Sequence, residues 1–351
     1  MERIGNIRGH LCSGQGDEWP RTFCIVGAGA IGGMVGAKLA LDGGYDVTLV
    51  ARGAHYAAMK KRGGVSLIEA GKERFCSSVA VADDIETLGG KFDVVILAVK
   101  SHQIQPVAHM IEGLCRDDRA VVVPLQNGIP WWYFYKEGGV LDGTCLKTCD
   151  PNGILHQYIR LDRIIGCIAF PAATLPRPGV IQHVEGRAFP LGEPDRSISG
   201  RAKLLSAAFS RSGFKSPVLE KFRDEIWLKL LGNICFNPIS ALTGSTVSEL
   251  ASFGPTKTLC IDVMKEAEQV ATNLGCKIRV GIDYRLKRAE ENVGSHKTSM
   301  LQDRILNKPI ETDIIVSVVE IADLLKCEIP SIKSLSACTL LLNKVLISGS
   351  L

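Results

Sequence analysis

The sequence predicts an α/β Rossmann-type N-terminal domain followed by an all-α C-terminal domain. Three observations carry this. A short apolar run, "FCIV" (23–26), enters the glycine-rich "GAGAIGG" and a helix-compatible run to Asp42, the β-α-β opening of a parallel sheet. Further apolar runs at 93–103 and 120–128 end in polar residues, as buried parallel strands do where they reach a crevice. From about residue 216 the apolar spacing turns helical nearly to the end. The expected organisation is a flexible extension over 1–20, a dinucleotide domain with added antiparallel strands over 21–217, and a helical substrate domain over 218–351.

Each element follows in order. After the first strand, Gly27, Gly29 and Gly32 satisfy G-x-G-x-x-G, with Ala28, Ala30 and Ile31 between them. Gly27 permits the tight turn, Gly29 lets backbone approach a pyrophosphate, and Gly32 lets the helix pack on the strand. The helix N-terminus supplies unpaired N–H groups for phosphate. The second strand, "DVTLV" (46–50), leads to Arg52 with no acid at its end. A carboxylate there would repel a 2′-phosphate, whereas arginine binds phosphate bidentately, so NADP is favoured over NAD. A surface arginine at a strand end is the other reading. Lys100 closes the run 93–103, and Gln126, Asn127 and Gly128 close 120–128, which puts Lys100 and Asn127 at the cofactor crevice.

"GIPWWYFY" (128–135) adds aromatics that either pack in the interior or shape the cleft mouth. Proline and glycine punctuation over 160–193 suggests antiparallel strands extending the first sheet. "GRAKLLSAAFSRSG" (200–213) reads as the last helix of this domain. Amphipathic helices follow at 258–275, stopped by Gly275, and at 311–326 after Pro309. A nucleotide domain joined to a helical one holds its substrate in the cleft between them.

The totals exclude several classes. The chain has 351 residues, 46% hydrophobic and 22% charged, an ordinary globular composition with room for two domains. A net charge of +4 without a long Lys/Arg run gives no footprint for nucleic acid; "MKKRGG" (59–64), the densest basic stretch, reads as a solvated loop after a helix. Twelve cysteines are scattered without a C-x-x-C or Cys/His grouping, so free thiols in a reducing cytosol, and no metal site, are expected. The first twenty residues lack the apolar core of a signal peptide, and no run reaches the ~18 apolar residues of a membrane span. A cytoplasmic protein without a membrane partner is the expectation.

One helix stands apart. In "EIWLKLLGNICFN" (225–237), Lys229, Asn233 and Asn237 fall at i, i+4 and i+8 and share a face. An exposed stripe is usually filled with Glu, Lys and Arg, and asparagine is a poor helix former. The stripe is either a solvated face or the wall of a site. Pro238 disfavours α conformation at Asn237, so the helix is expected to kink or end there and turn the second amide toward a cleft.

From about residue 22 to about 335 the chain resembles the ketopantoate reductase (2-dehydropantoate 2-reductase) family. The resemblance rests on "GAGAIG" (27–32), "AVKSHQ" (98–103), "LQNG" (125–128), "WLKLLGNICFNPISAL" (227–242) and "TSMLQDRILNKPIETD" (298–313). It implies a helical domain like the C-terminal domain of 6-phosphogluconate dehydrogenase and reduction of ketopantoate to pantoate by NADPH. It also implies that Lys229 is the general acid, that Asn233 and Asn237 orient substrate, and that Ser299 contributes to the substrate carboxylate. Glu311 would bind the substrate hydroxyl and couple to the lysine, while Lys100 and Asn127 lie beside the cofactor.

The physical reading agrees. Reducing a 2-oxo acid needs a cation near the developing alkoxide, donors for the carboxylate and a hydride donor held close. Val316 and Ser317 stand where the family often has Asn and Gly, and Ile332 replaces a polar residue, so the acyl pocket is expected to differ. The alternatives are the same chemistry on another branched 2-oxo acid, or a noncatalytic NADP(H)-binding sensor. A homodimer through the helical domain is a further expectation.

Overall fold

The computed structural model describes residues 19–292 and 297–349. The extension expected over 1–20 therefore lies outside the described residues except for its last two. Those two belong to the fold: Trp19 packs half-buried against the N-terminal core, and Pro20 is buried.

The N-terminal half comprises β1 (Thr22–Val26), α1 (Ala30–Leu41), β2 (Asp46–Val50), α2 (Gly53–Arg62), β3 (Val65–Glu69), β4 (Lys72–Cys76), β5 (Val79–Ala82), β6 (Val94–Leu97), α3 (Ala108–Leu114) and β7 (Val121–Pro124). It continues through α4 (Ile154–Tyr158), β8 (Gly166–Cys167), β9 (Ala172–Arg177), β10 (Val180–Glu185), β11 (Leu191–Gly192) and α5 (Gly200–Arg211). Strands β5-β2-β1-β6-β7 form one parallel sheet in that order. The inner run of β1 and all of β6 and β7 are buried on both faces, as a parallel sheet covered by helices requires.

The antiparallel strands do not extend this sheet. β9 and β10 join the β3–β4 hairpin in a second, four-stranded sheet ordered β4-β3-β10-β9, while β8 and β11 pair separately. Helix α1 lies between the two sheets. A Cβ on Gly36 would come within 2.4 Å of Leu49 in the first sheet, and one on Gly33 within 2.4 Å of Ile181 in the second. Small residues on both sides of α1 thus let two sheets share one helix.

The C-terminal half is helical: α6 (Phe222–Thr243), α7 (Val247–Ser252), α8 (Gly254–Asn273), α9 (Ile282–Asn292), α10 (Ser299–Ile305), α11 (Asp313–Leu325) and α12 (Pro330–Ser348). α6 neither ends nor breaks at Pro238 but continues to Thr243. A proline inside a helix costs about 3 kcal/mol, and the turn beyond it offsets that cost by burying Ile239, Ser240 and Ala241. Arg304 also donates to the Ala241 carbonyl at 2.6 Å, satisfying one of the last acceptors of the helix.

The aromatic stretch resolves to packing. Trp131, Trp132, Tyr133 and Phe134 are all buried in a core that runs without interruption from the sheet into α6, α8, α11 and α12. Trp132 stacks on Phe222, and the Trp227 indole N–H donates to the Tyr133 hydroxyl at 2.8 Å. Buried Arg223 donates to the Tyr133 carbonyl at 2.9 and 2.7 Å and to the Pro194 carbonyl at 2.7 Å. These contacts fix the start of α6, and with it Lys229, against the N-terminal half.

Candidate active site

The glycine loop meets each geometric demand placed on it. Gly27 has φ +97°, and a Cβ there would lie 2.6 Å from Val99. A Cβ on Gly32 would lie 2.3 Å from the Gly27 carbonyl oxygen and 2.7 Å from Ala98, so helix and strand touch at that point. A Cβ on Gly29 would meet nothing within 4 Å. Gly29 faces a cavity of about 250 Å³ lined by Gly27, Ala28, Gly29, Arg52, His55 and Gln103 among others. A cradle of backbone N–H groups with open space above its central glycine, and a guanidinium at its rim, fits a dinucleotide phosphate. Arg52 is exposed and precedes the first turn of α2.

A second cavity, of about 390 Å³, brings together Ile31, Asn127, Lys229, Asn233, Asn237 and Ser299. The polar stripe of α6 therefore lines this cavity. The Lys229 ammonium donates to Asn127 Oδ1 at 2.7 Å and to the Ala169 carbonyl at 2.6 Å. Burial pushes its pKa down to about 8, while the Glu311 carboxylate pulls the other way. Glu311 is buried just before α11; burial pushes its pKa up to about 7, with Asp313 adding to the rise and Lys100 and an Asn127 hydrogen bond opposing it. Asn127 thus stands between the lysine and the glutamate. The turn that carries it needs Gly128, whose φ is +81° and whose Cβ would press 3.2 Å from the Ile314 backbone.

Asn237 is buried, Asn233 half-buried and Ser299 exposed at the first turn of α10. α10 is fastened to α6 by a 2.6 Å hydrogen bond between the Thr298 and Ser240 hydroxyls. Lys100 is positioned differently from a residue reaching into the dinucleotide cavity. It lies beyond β6, pairs with Asp303 at 2.6 Å and donates to the Pro309 carbonyl at 3.4 Å. Ala30 opens α1, and Gly32 serves packing. Val316, Ser317 and Ile332 do not line the cavity around Lys229; Ser317 and Ile332 are wholly buried between helices.

Sequence reasoning missed the Ala169 carbonyl, His55, Gln103 and Asp303. A backbone acceptor leaves no trace in residue type. Asp303 lies inside the "TSMLQD" stretch, so its residue type was in view, but its partner Lys100 stands 203 residues earlier and no local pattern names it.

Fold and site together define a dinucleotide-dependent oxidoreductase with a half-buried lysine where its two halves meet. Family models described as "Ketopantoate reductase PanE/ApbA" and "Ketopantoate reductase PanE/ApbA C terminal" match residues 23–131 and 221–342. The chain belongs to the ketopantoate reductase family, whose members reduce ketopantoate to pantoate and use NADPH. It is 45% identical over 296 residues to a 2-dehydropantoate 2-reductase of Mesorhizobium japonicum, covering 84% of this chain and 89% of that one. It is 30% identical over 308 residues to the enzyme so named from Pyrococcus horikoshii, covering 87% and 92%.

Among solved structures, a Ralstonia solanacearum protein assigned as a ketopantoate reductase superposes with a TM-score of 0.86 at 35% identity, over 92% of this chain and 98% of that one. D-mandelate dehydrogenase with NADH and anilino(oxo)acetate, at 21% identity and a TM-score of 0.77 over 93% and 99%, shares the fold. Among the described residues no helix is long and apolar enough to cross a membrane.

Proposed function

We propose that this protein reduces 2-dehydropantoate to pantoate with NADPH, Lys229 acting as general acid. The observation that carries the proposal is the Lys229 ammonium, held by Asn127 and Ala169 in a cavity it shares with Asn233, Asn237 and Ser299. NADPH, when bound, supplies the hydride. An ammonium has three N–H donors, and two are engaged, which leaves one for the 2-oxo oxygen of the substrate. With a pKa of about 8 the group is protonated at neutral pH yet gives up its proton readily, the balance general acid catalysis needs.

Asn233 and Asn237 are neutral donors on adjacent turns that orient substrate without disturbing that balance, and Ser299 donates to its carboxylate. Glu311, coupled to the lysine through Asn127, accepts from the substrate hydroxyl. Gly27 to Gly32 hold the pyrophosphate, Arg52 the 2′-phosphate, and Asn127 stands beside the nicotinamide, with Lys100 bracing the glutamate electrostatically. The domain division at 217/218 is a functional one in this reading: phosphates bind on one side and the acid comes from the other.

The test is NADPH oxidation by the purified protein with ketopantoate beside a panel of 2-oxo acids. A kcat/KM above ~10⁴ M⁻¹s⁻¹ for ketopantoate, with turnover abolished and NADPH binding retained in Lys229→Ala, is the expected result. Turnover that survives the substitution overturns the assignment. A second reading, the same chemistry on a bulkier 2-oxo acid, is favoured by one observation: a cleft of about 870 Å³ opens from Lys229 between Phe170, Leu228, Phe236 and Tyr284. A fast reaction with a larger acid and a slow one with ketopantoate selects that reading.

Eleven unpaired cysteines among the described residues support a reducing, cytoplasmic setting. Exposed Leu340, Leu341 and Ile347 on α12 support a homodimer through the helical half, which light scattering tests.

A further inference from the structure

The loop between β7 and α4 gathers three metal-ligand types that sequence spacing gave no reason to group. Cys145 Sγ, Asp150 Oδ2 and His156 Nδ1 lie within 4.8 Å of one another. The sulfur is 3.5 Å from the ring nitrogen and 3.8 Å from the carboxylate oxygen, and nitrogen and oxygen are 2.6 Å apart. A tetrahedral ion with bonds of about 2.3 Å to sulfur and 2.0–2.2 Å to nitrogen and oxygen sets its ligands roughly 3.3–3.6 Å apart. The sulfur–nitrogen edge already has that length, the sulfur–oxygen edge exceeds it by about 0.2 Å, and the third edge has to open by less than ~1 Å.

Three further features mark the site as built. Asp150 is buried, and its two oxygens accept the backbone N–H groups of Leu155 at 2.7 Å and His156 at 3.0 Å, which orients the carboxylate as outer partners orient a ligand. The loop is held from outside: Glu320 of α11 accepts the Lys147 and Thr148 N–H groups at 2.8 Å each, and Gln105 donates to the Pro151 carbonyl at 3.1 Å. Cys145 is exposed, so an ion can reach the three atoms and a water can take a fourth position.

We infer that Cys145, Asp150 and His156 form a binding site for a borderline-soft divalent cation such as Zn²⁺. Thiolate, imidazole and carboxylate select such an ion over Mg²⁺ or Ca²⁺. On binding, the thiol releases its proton to solvent and the neutral ring carries its hydrogen on Nε2. Thiolate and carboxylate then balance the charge of the ion. The occupied site staples the start of the loop to α4, behind the turn that carries Asn127; Cys149 in the same loop already contacts the Ile129 carbonyl at 3.2 Å.

The experiment is titration of the reduced full-length protein with Co²⁺, followed by absorbance. One equivalent is expected to give a thiolate-to-cobalt charge-transfer band with the visible bands of a four-coordinate ion, reversed by a chelator. Cys145→Ser abolishes the charge-transfer band, and His156→Gln weakens binding on the order of tenfold or more, the loss that even outer partners cause. Cys338→Ser, which removes another exposed thiol, leaves the band intact. Circular dichroism establishes that each variant is folded. Absence of the band at tenfold excess of Co²⁺, or its persistence in folded Cys145→Ser, overturns the inference.

Discussion

Asn127→Asp puts a carboxylate where an amide oxygen now accepts from Lys229 at 2.7 Å. Two unit charges at that separation, in an effective dielectric of about 20, attract by roughly 6 kcal/mol, or about four pKa units. Desolvation of the new carboxylate offsets part of this, and opposite charges at such range shift a group by about one to three units in practice. The Lys229 pKa therefore moves from about 8 to roughly 9–11. With the ammonium as the proposed acid, wild-type kcat/KM is expected to fall as pH rises through about 8. In Asn127→Asp that alkaline limb moves up by at least one unit, and the plateau below it drops because the proton is held more tightly. The assay is NADPH oxidation at subsaturating 2-oxo acid between pH 6 and about 10.5. A limb that stays where it is, or moves down, refutes the claim that the titrating acid is the lysine bound to Asn127.

Other outcomes follow from the same geometry. Arg52→Ala weakens NADPH by on the order of tenfold or more, the loss of a charge-assisted contact, and NADH far less; equal losses in a fluorescence titration remove Arg52 from the 2′-phosphate. Gly32→Ala lowers the melting temperature, because its Cβ would lie 2.3 Å from the Gly27 carbonyl, whereas Gly29→Ala leaves it unchanged and weakens NADPH binding. Glu311→Gln lowers activity yet stabilises the fold above neutral pH. Glu311 has a folded pKa near 7 against an ordinary 4.5, so the folded state favours its neutral form and loses stability as pH rises between the two values. Glutamine escapes that loss, by up to roughly 3 kcal/mol at pH 8 and by nothing below pH 4.5, which paired denaturant titrations at the two pH values would read.

Local signals were legible and non-local ones were not. The glycine fingerprint announced β1, the turn and α1 because each glycine answers to a contact within a few residues or with the next strand. The Lys229–Asn233–Asn237 stripe was legible because helical spacing alone puts three residues on one face. The second sheet was hidden: β10 pairs with β3, more than a hundred residues earlier, and no local pattern names that partner. The β3–β4 hairpin was hidden too, since its turn places Ala70 at φ 49° before Gly71, without the Asn-Gly or Asp-Gly that marks such turns. Pro238 misled for a third reason. The bias of the residue before a proline away from α conformation was weighed without the tertiary burial of Ile239 to Ala241 that overrides it.

The environment of Lys229 is set by an agreement between the two halves of the chain. Lys229 belongs to α6, but both groups that hold its ammonium, Asn127 and the Ala169 carbonyl, come from the N-terminal half. Glu311, which opposes the fall in its pKa, comes from beside α11. A shift of one ångström between the halves would break hydrogen bonds of 2.6 and 2.7 Å, and a lysine still desolvated but without the acceptors that favour its charged form would fall further in pKa. That tolerance explains why the aromatic residues 131–134 are core and not cleft. They join α6 to the sheet through one uninterrupted apolar interior, with Arg223 tying the helix start to the Tyr133 carbonyl. The packing of Trp132 on Phe222 is thus part of how the lysine keeps a pKa near 8, although neither ring touches it.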